Sequence, residues 1–368
     1  MAVEQAGRAE QMEAFYEQIN RKNLDALWRH HNPQAGVDDV KAPYAPRLWR
    51  WADIGPFMTR ATELVEPSPE DQRRVLTLNN PAIMPSKAAT HTISAAVQCV
   101  LPGELAPAHR HTAAAIRFIM KGEGAITFVD HEPCAMNPGD LILTPGWTWH
   151  GHINQGDGPM LWMDSLDVPL IGVLRQGLYE DYPDEIPPAA KPVDNSISRY
   201  GSGHMRPIWE RPGSPISPLL SFPWTETERA LRSLAKAGEA SPFDDVAFEF
   251  TNPATGGHVL PTIGCWIQMI RPGIHTQAHR HSNVAVYHVF RGRGSTIVDG
   301  IQMDWEEGDF FALPPYVWHE HMNISTSDDA VLFSTNDIPV LESLNLHREI
   351  PYGLNGGHQT VRGTYSDE

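Results

Sequence analysis

Two histidine pairs, each interrupted by one arginine, are the residues of this sequence best suited to chemistry. His109 and His111 lie in "HRHTAAAIRF", and His279 and His281 lie in "HRHSNVAVYH", an offset of 279 − 109 = 170 residues. Residues i and i+2 of a β-strand point to the same face, so the two imidazoles of each pair would project together. A pair of this kind indicates a metal site when a third ligand approaches it.

A third histidine follows each pair in a matching frame. It is His150 in "TPGWTWHGHIN" and His319 in "LPPYVWHEHMN". The two frames align at eight positions with a single one-residue gap, and the members in the first copy are Gly103, His109, His111, Gly124, Gly139, Pro145, His150 and Asn154. This alignment predicts an internal repeat. Each copy would bring three imidazoles to one point and leave coordination positions of a metal free.

Short runs of β-forming residues must position these histidines. Runs such as "AIRFIM", "AITFVD" and "DLILTP" occur after about residue 92, and similar runs resume at about residue 258. Many short strands at this spacing predict a β-sandwich or barrel. Thr225 and Glu228 predict a capping box ahead of the helix "RALRSLAKA". We expect a helical and irregular arm over 1–90, a catalytic β domain over 91–182, a proline-rich linker with a helix over 183–257, and a second β domain over 258–368.

Composition narrows the class of protein. The 368 residues carry 28 Lys and Arg against 45 Asp and Glu, a net charge of −17. A nucleic acid or an anionic membrane would require a basic surface, so we expect neither as a partner. The sequence shows no signal-peptide pattern and no apolar run of membrane-spanning length, and its three cysteines are too scattered for a disulfide framework. We therefore expect a reduced, cytoplasmic protein.

The glycine and histidine frames resemble the two motifs of the cupin superfamily. "GELAPAHRHTAAAIRFIMKGEG" matches the first motif, and "GDLILTPGWTWHGHIN" matches the second. The resemblance implies a mainly β bicupin, in which two double-stranded β-helix (jelly-roll) barrels follow an N-terminal helical arm. The glutamate of the family motif is absent, because Arg117 replaces it in the first copy and Tyr287 in the second.

The loss of the glutamate changes the charge of the site. Three neutral imidazoles would leave a divalent iron with its full charge, and a substrate carboxylate with an adjacent phenolate could chelate that ion and leave one position for dioxygen. Arg117 could then pair with the substrate carboxylate, or it could form a structural ion pair with a neighbouring acid. A straight strand would carry Arg117 roughly 20 Å beyond His111, so we expect "TAAA" to turn the chain back.

The chain is similar over most of its length to the gentisate 1,2-dioxygenase family of ring-cleaving bicupins. "RRVLTLNNP", "LTPGWTWHGH" and "MDSLDVP" carry this resemblance together with the first histidine pair. It implies Fe(II), dioxygen and an aromatic hydroxy-acid substrate, and a cytoplasmic homotetramer. The implied reaction opens gentisate between the carboxyl-bearing and the adjacent hydroxyl-bearing carbons to give maleylpyruvate. Salicylate, substituted salicylates and 1-hydroxy-2-naphthoate are alternative substrates for the same chemistry.

The resemblance also implies roles for residues of the first copy. His109, His111 and His150 would bind iron, and His152 would be a candidate acid–base group. Catalytic or substrate-binding positions carried over from the family are Gln98, Arg117, His152 and Asp164, with an arginine from the arm, Arg73 in preference to Arg74. Ser94 and Ala96 would shape the substrate pocket. Gln98, Asp164 and Arg73 could instead have structural or surface roles, and His152 could be a surface histidine.

The second copy keeps its histidines but changes their neighbours. His279, His281 and His319 could hold a second metal, although Ser334 stands where the first copy has Asp164. We expect a metal site without the same substrate chemistry, or a structural remnant. A manganese bicupin acting on oxalate and a non-catalytic bicupin are the rival classes; the first normally keeps the glutamate, and two complete triads argue against the second. His358 lies outside both motifs and is predicted to be a surface histidine.

Overall fold

The computed structural model describes residues 2–29, 36, 40–66, 73–203, 205–209 and 214–366. Within these ranges the α-helices are α1 Ala2–Asn20, α2 Trp51–Leu64, α3 Val168–Val173, α4 Asn195–Tyr200, α5 Trp224–Ala237 and α6 Ile338–Ser343. Short 3-10 helices cover Leu27–Arg29, Pro81–Ile83 and Asn355–Gly357. No helix in the described ranges is both long enough and apolar enough to cross a membrane.

Residues 1–41 form a small unit of their own. Its main element is α1, which confirms the expected N-terminal helix. The indole Nε1 of Trp28 donates a hydrogen bond to the Tyr16 hydroxyl at 3.2 Å, and the guanidinium of Arg29 lies 4.1 Å from the centre of the Tyr16 ring. These aromatic and cation–π contacts join the 3-10 helix to α1.

Residues 42–368 form the second unit, which contains every described β-strand. The strands of its first half are β1 Arg47–Trp49, β2 Arg74–Thr77, β3 Ser94–Val100, β4 Leu105–His111, β5 Ala115–Lys121, β6 Ala125–Val129, β7 Glu132–Met136, β8 Leu141–Thr144, β9 His150–Asn154, β10 Met160–Leu166 and β11 Tyr179–Asp181. Those of its second half are β12 Ser221–Phe222, β13 Val246–Glu249, β14 Gly264–Ile270, β15 His279–His281, β16 Ala285–Arg291, β17 Arg293–Val298, β18 Ile301–Glu306, β19 Phe310–Leu313, β20 His319–Asn323, β21 Ala330–Asn336, β22 Glu349–Pro351 and β23 Gly363–Thr364.

The strands build two barrels, each from two sheets. The first barrel combines the sheet β12-β8-β5-β10-β3-β2 with the sheet β11-β4-β9-β6-β7. The second combines β1-β19-β16-β21-β14-β13 with β22-β15-β20-β17-β18-β23. Neighbouring strands are antiparallel except for β18 and β23. Residues of the expected β runs occupy these strands, so the prediction of paired β-barrels is confirmed.

In each half of the unit, one strand and one helix contact the barrel of the other half. β1 pairs with β19 of the second barrel, and β12 pairs with β8 of the first. The backbone N–H of Trp51 at the start of α2 donates to the Asp309 carboxylate at 2.7 Å, and that of Trp224 at the start of α5 donates to Asp140 at 2.8 Å. The repeat therefore includes a strand–helix–strand arm before each barrel. β2 and β13 also pair within the sheets of the first and second barrels, so the domain limits expected at 91 and 258 remain predictions.

The capping box predicted at Thr225 and Glu228 is wrong. α5 begins at Trp224, so Thr225 lies inside the helix and not at its N-cap. The first N–H of the helix, that of Trp224, donates to the Asp140 carboxylate of the first barrel. Glu228 instead forms salt bridges with Arg232 and Arg291. The helix is thus capped by a tertiary contact.

The two barrels pack back to back through the sheets that contain β5 and β21. Phe118 and Phe333 stack with ring centres 4.2 Å apart, and both side chains are fully buried. The hydroxyls of Ser165 and Thr335, which occupy matching positions in the two copies, lie 2.9 Å apart. Burial of each large side chain contributes roughly 1.5–3 kcal/mol, so this shared core joins the barrels firmly.

Candidate metal centre and substrate pocket

Two adjacent strands position the first histidine triad. β4 ends with His109 and His111, and its partner β9 begins with His150, directly opposite His109. The ring centres lie 4.2 Å apart for His109 and His150, 4.7 Å for His111 and His150, and 5.5 Å for His109 and His111. The structure thus brings together the three residues predicted to bind metal.

Backbone carbonyls orient the three rings. Each Nδ1 contacts a carbonyl two residues away, at 3.0 Å for His109, 2.8 Å for His111 and 3.0 Å for His150. Such contacts fix the tautomer of a metal-binding histidine and leave Nε2 as the donor atom. One ligand atom from each residue lies within 4.8 Å of the others.

The charge of the triad also fits a metal ion. Burial lowers the pKa of all three imidazoles, and the nearby Arg117 guanidinium lowers it further. The Arg73 guanidinium also lowers the pKa of His109 and His111. The rings are therefore neutral at pH 7, which is the form that binds metal. Three neutral nitrogen donors suit a divalent transition metal with open positions for substrate.

Of the two candidate arginines, only Arg73 reaches the triad. Its Nη2 lies 2.7 Å from Nδ1 and 2.8 Å from Nε2 of His109. Arg74 points elsewhere, since it donates to the Val65 carbonyl at 2.8 Å and pairs with Glu104 at 2.5 Å. Because a guanidinium and a divalent cation repel each other, Arg73 would have to move away from Nε2 for a metal to bind there.

Arg117 lies inside the first barrel and has an acidic partner. The chain turns back over 112–114, so the expected turn is confirmed, and Arg117 stands opposite Asp164 on β10. Its Nε lies 3.4 Å from Asp164 Oδ1, and its Nη1 donates to the hydroxyl of Thr144. Burial raises the pKa of Asp164, although the Arg117 and Arg73 guanidiniums oppose that rise. The neighbouring acid considered from the sequence is thus present.

Gln98 and His152 complete the polar interior of the first barrel. Gln98 faces Trp162 across the β3–β10 pair, and the His152 ring lies 5.0 Å from that indole. Both Gln98 and His152 are 1% exposed. Among the described residues, neither Nε2 of Gln98 nor either ring nitrogen of His152 has a hydrogen-bond partner. Ser94 and Ala96 precede Gln98 on the same strand face, and the Ser94 hydroxyl donates to the Leu166 carbonyl at 3.2 Å.

The second barrel repeats the triad almost unchanged. The ring centres of its histidines lie 4.3, 4.7 and 5.5 Å apart, and one ligand atom from each lies within 4.8 Å of the others. The group comprises His279, His281 and His319. Its side-chain geometry is therefore suited to a metal in the same way.

The interior beyond the second triad is closed by aromatic contacts. Tyr287, at the position of Arg117, stacks on Phe311 with ring centres 4.5 Å apart. Phe243, from the arm before this barrel, contacts His279 at 4.8 Å. Ser334 lies opposite Tyr287 where the first barrel has an acid opposite a guanidinium. The second interior thus lacks the paired charges of the first.

The sequence did not predict a third group of side chains that could bind a metal. His275, Glu320 and His358 offer ligand atoms within 4.8 Å of one another. His275 and His358 are 358 − 275 = 83 residues apart, so spacing alone gives no signal. The one sequence signal is Glu320 itself, which alternates with His319 and His321 on β20.

The paired barrels and their triads define a bicupin, and comparisons with known proteins agree. The Cupin domain family matches residues 96–168 and 266–336. The chain is 37% identical to the 5-aminosalicylate 1,2-dioxygenase of a Comamonas species, over 96% of this chain and 94% of that protein. It is 34% identical to gentisate 1,2 dioxygenase 1 of Aquipseudomonas alcaligenes, over 91% and 95% of the two chains.

A solved structure extends the similarity to three dimensions. The salicylate 1,2-dioxygenase of Pseudoaminobacter salicylatoxidans, determined as adducts with gentisate, superposes with a TM-score of 0.83 at 30% identity. The match covers 92% of this chain and 93% of that one. The chain therefore belongs to the gentisate and salicylate 1,2-dioxygenase family of ring-cleaving bicupin enzymes.

Proposed function

We propose that this enzyme is an Fe(II)-dependent dioxygenase that opens gentisate between its carboxyl-bearing and adjacent hydroxyl-bearing carbons to give maleylpyruvate. His109, His111 and His150 would hold the iron. When bound, Fe(II) supplies coordination positions for substrate and dioxygen and a path for electrons between them. The remaining chemistry is binding, orientation and proton transfer by residues of the first barrel.

The assignment of the substrate site to the first barrel rests on a difference in hydrogen bonding between the two barrels. In the second barrel, Gln268 Nε2 donates to the Asp244 carbonyl at 2.9 Å, and His321 Nδ1 lies 2.9 Å from the Thr296 hydroxyl. The equivalent Gln98 amide and His152 ring lack such partners among the described residues. An unpaired buried polar group costs roughly 1–3 kcal/mol, so a polar ligand that bonds these groups would gain that energy. This supports the first barrel as the substrate-binding one.

Two guanidiniums are candidates to bind the substrate carboxylate. Arg73 lies at the triad, and Arg117 lies deeper beside Asp164. Asp164 lies 3.4 Å from Arg117, whereas no carboxylate of the described residues lies within salt-bridge distance of Arg73, which contacts a neutral imidazole. We therefore assign the principal contact with the substrate carboxylate to Arg73. Arg117 and Asp164 would orient the ring as a neutral polar pair.

The buried polar groups favour a ring that carries a third polar substituent, in addition to its carboxylate and the adjacent hydroxyl. Gentisate has a hydroxyl para to its first hydroxyl, and His152 or Gln98 could bond it and hold or move its proton. Bare salicylate would leave those groups unpaired, which a site built for hydrogen bonding penalises strongly. 5-Aminosalicylate offers an amine at the same position and is the strongest alternative. Salicylate and 1-hydroxy-2-naphthoate follow.

The second barrel and the assembly of the chains have separate proposed roles. The second triad would hold a metal without ring cleavage, because Tyr287 and Ser334 replace the paired charges. We further propose a cytoplasmic homotetramer, as the family resemblance implies. Sedimentation velocity would test the assembly.

The test is oxygen uptake by iron-loaded enzyme with four substrates, combined with identification of the product. We expect kcat/KM to be highest for gentisate and at least about ten-fold lower for salicylate, since one lost buried hydrogen bond costs about 1.5 kcal/mol. 5-Aminosalicylate and 1-hydroxy-2-naphthoate complete the panel. A higher kcat/KM for 5-aminosalicylate, salicylate or the naphthoate than for gentisate would overturn the assignment of gentisate but leave ring cleavage intact.

A further inference from the structure

The third side-chain group lies on the outside of the second barrel, away from both triads. Glu320 stands between His319 and His321 on β20, so its side chain points to the opposite face of the sheet. His275 comes from the loop before β15, and His358 comes from the segment between the last 3-10 helix and β23. Three separate parts of the chain thus meet at one carboxylate.

The spacing of these donors suits a small cation. Glu320 Oε2 lies 3.3 Å from Nε2 of His275 and 2.9 Å from Nδ1 of His358. Ligands at about 2.0–2.1 Å from a tetrahedral zinc ion are about 3.3 Å apart. A small outward movement of the side chains would therefore make room for an ion between them.

The carboxylate is firmly held, and the imidazoles can be reached from solvent. The Glu320 side chain is 0% exposed, whereas those of His275 and His358 are each 34% exposed. The Gln359 backbone N–H donates to Glu320 Oε1 at 2.8 Å. Glu320 is thus a buried, fixed carboxylate between two accessible nitrogen donors.

We propose that His275, Glu320 and His358 bind one divalent transition-metal ion, with Zn²⁺ as the best-fitting ion. Two imidazoles and one carboxylate form a donor set that Zn²⁺ accepts, and water completes the coordination. The ion clamps the C-terminal segment to the barrel, where Gln359 already bonds Gly300 and Ile297. This site is independent of ring cleavage.

A competing explanation is a hydrogen-bonded cluster that never binds metal. In that case imidazole N–H groups of His275 and His358 would satisfy Glu320, and added zinc would change nothing at this face. Zinc uptake at the other triads is a complication, because Zn²⁺ also favours three histidines. The difference between the wild type and variants of the third group removes that background.

The test uses full-length, iron-loaded enzyme dialysed against buffered free Zn²⁺, with zinc and iron per chain measured by atomic emission. We expect the wild type to hold one zinc per chain more than His358→Asn, His275→Asn or Glu320→Gln at equal iron content. His131→Asn is the matched control, since His131 is a partly exposed histidine outside the group. It should hold as much zinc as the wild type.

Hydrogen exchange provides a second readout. Zinc should slow exchange of the backbone amides of residues 355–364 in the wild type and leave it unchanged in His358→Asn. Equal zinc content in the wild type and in the folded variants of the group would overturn the proposal. If Glu320→Gln does not fold, the two histidine variants decide the question, because their side chains are partly exposed.

Discussion

Arg73 and Arg117 lie close to the same triad but have different partners. Arg73 contacts a neutral histidine of the first triad, whereas Arg117 is paired with Asp164 inside the barrel. Asp164 and Asp181 attract the Arg73 guanidinium, but no carboxylate of the described residues lies within salt-bridge distance of it, so it can bind an incoming carboxylate. Removing an arginine that has a buried acidic partner leaves that acid unpaired and destabilises the fold. The two side chains should therefore respond differently to substitution.

Arg73→Met should weaken binding of gentisate without loss of iron. A buried charge-assisted hydrogen bond contributes about 1.5–3 kcal/mol, so KM should rise about ten- to a hundred-fold. Oxygen uptake against gentisate concentration and iron content are the measurements. Arg74→Met is the control, because Arg74 pairs with Glu104 away from the triad and should affect stability but not KM. An unchanged KM in Arg73→Met would leave Arg117 as the carboxylate partner.

Arg117→Met should lower the free energy of unfolding. Asp164 would remain as a buried carboxylate without its partner, and breaking a buried ion pair costs about 3–5 kcal/mol. Urea unfolding of the metal-free protein measures the change. The double variant Arg117→Met/Asp164→Asn should recover much of the stability, since no buried charge is left unpaired. If the single variant is as stable as the wild type, the ion pair has no structural role.

At the scale of elements, the arm before each barrel packs against the other barrel, at the glycine that begins the second motif of that barrel. Gly139 lies in the turn between β7 and β8, with φ of +87°, and a Cβ there would lie 2.7 Å from Cγ of Trp224. The equivalent Gly308 faces Trp51 in the same manner, at 2.6 Å. Each glycine thus provides both a left-handed backbone and the space for a tryptophan from the other half.

Gly139→Ala should therefore destabilise the protein more than an ordinary turn substitution. The left-handed backbone costs an alanine roughly 1–2 kcal/mol, and overlap with Trp224 adds roughly 1–3 kcal/mol. Gly103→Ala is the matched control, because Gly103 has φ of +77° with open space around it, and only the first cost applies. Urea midpoints compare the two. Equal midpoints would mean that the tryptophan contact contributes nothing.

At the scale of the whole molecule, the internal repeat and both triads could be predicted from residue types and spacing. Alternation along a strand places His109 and His111 together, and the repeated frame supplies His150. The position of Arg117 depended on a turn for which the sequence offered weak signals. The partnership of Arg117 with Asp164 depends on strand register, which local sequence does not specify.

Contacts between distant segments explain what sequence reasoning missed. β1 lies in a stretch that reads as irregular because it pairs with β19, more than 250 residues away in sequence (310 − 49 = 261). The start of α5 is set by Asp140 rather than by Thr225. His358 reads as a surface histidine, and its half-buried contact with Glu320 exists only because the C-terminal segment returns to β20.

The central claim is that ring cleavage takes place at the first histidine triad and not at the second, although the two have nearly the same geometry. The most direct measurement is gentisate-dependent oxygen uptake, with iron per chain, for His150→Ala and the matched His319→Ala. We predict that His150→Ala loses first-site iron and all turnover, because two imidazoles cannot hold the metal in place. His319→Ala should keep near wild-type turnover per first-site iron. A folded His319→Ala enzyme that retains that iron but has no activity, or an active His150→Ala enzyme, would contradict the account.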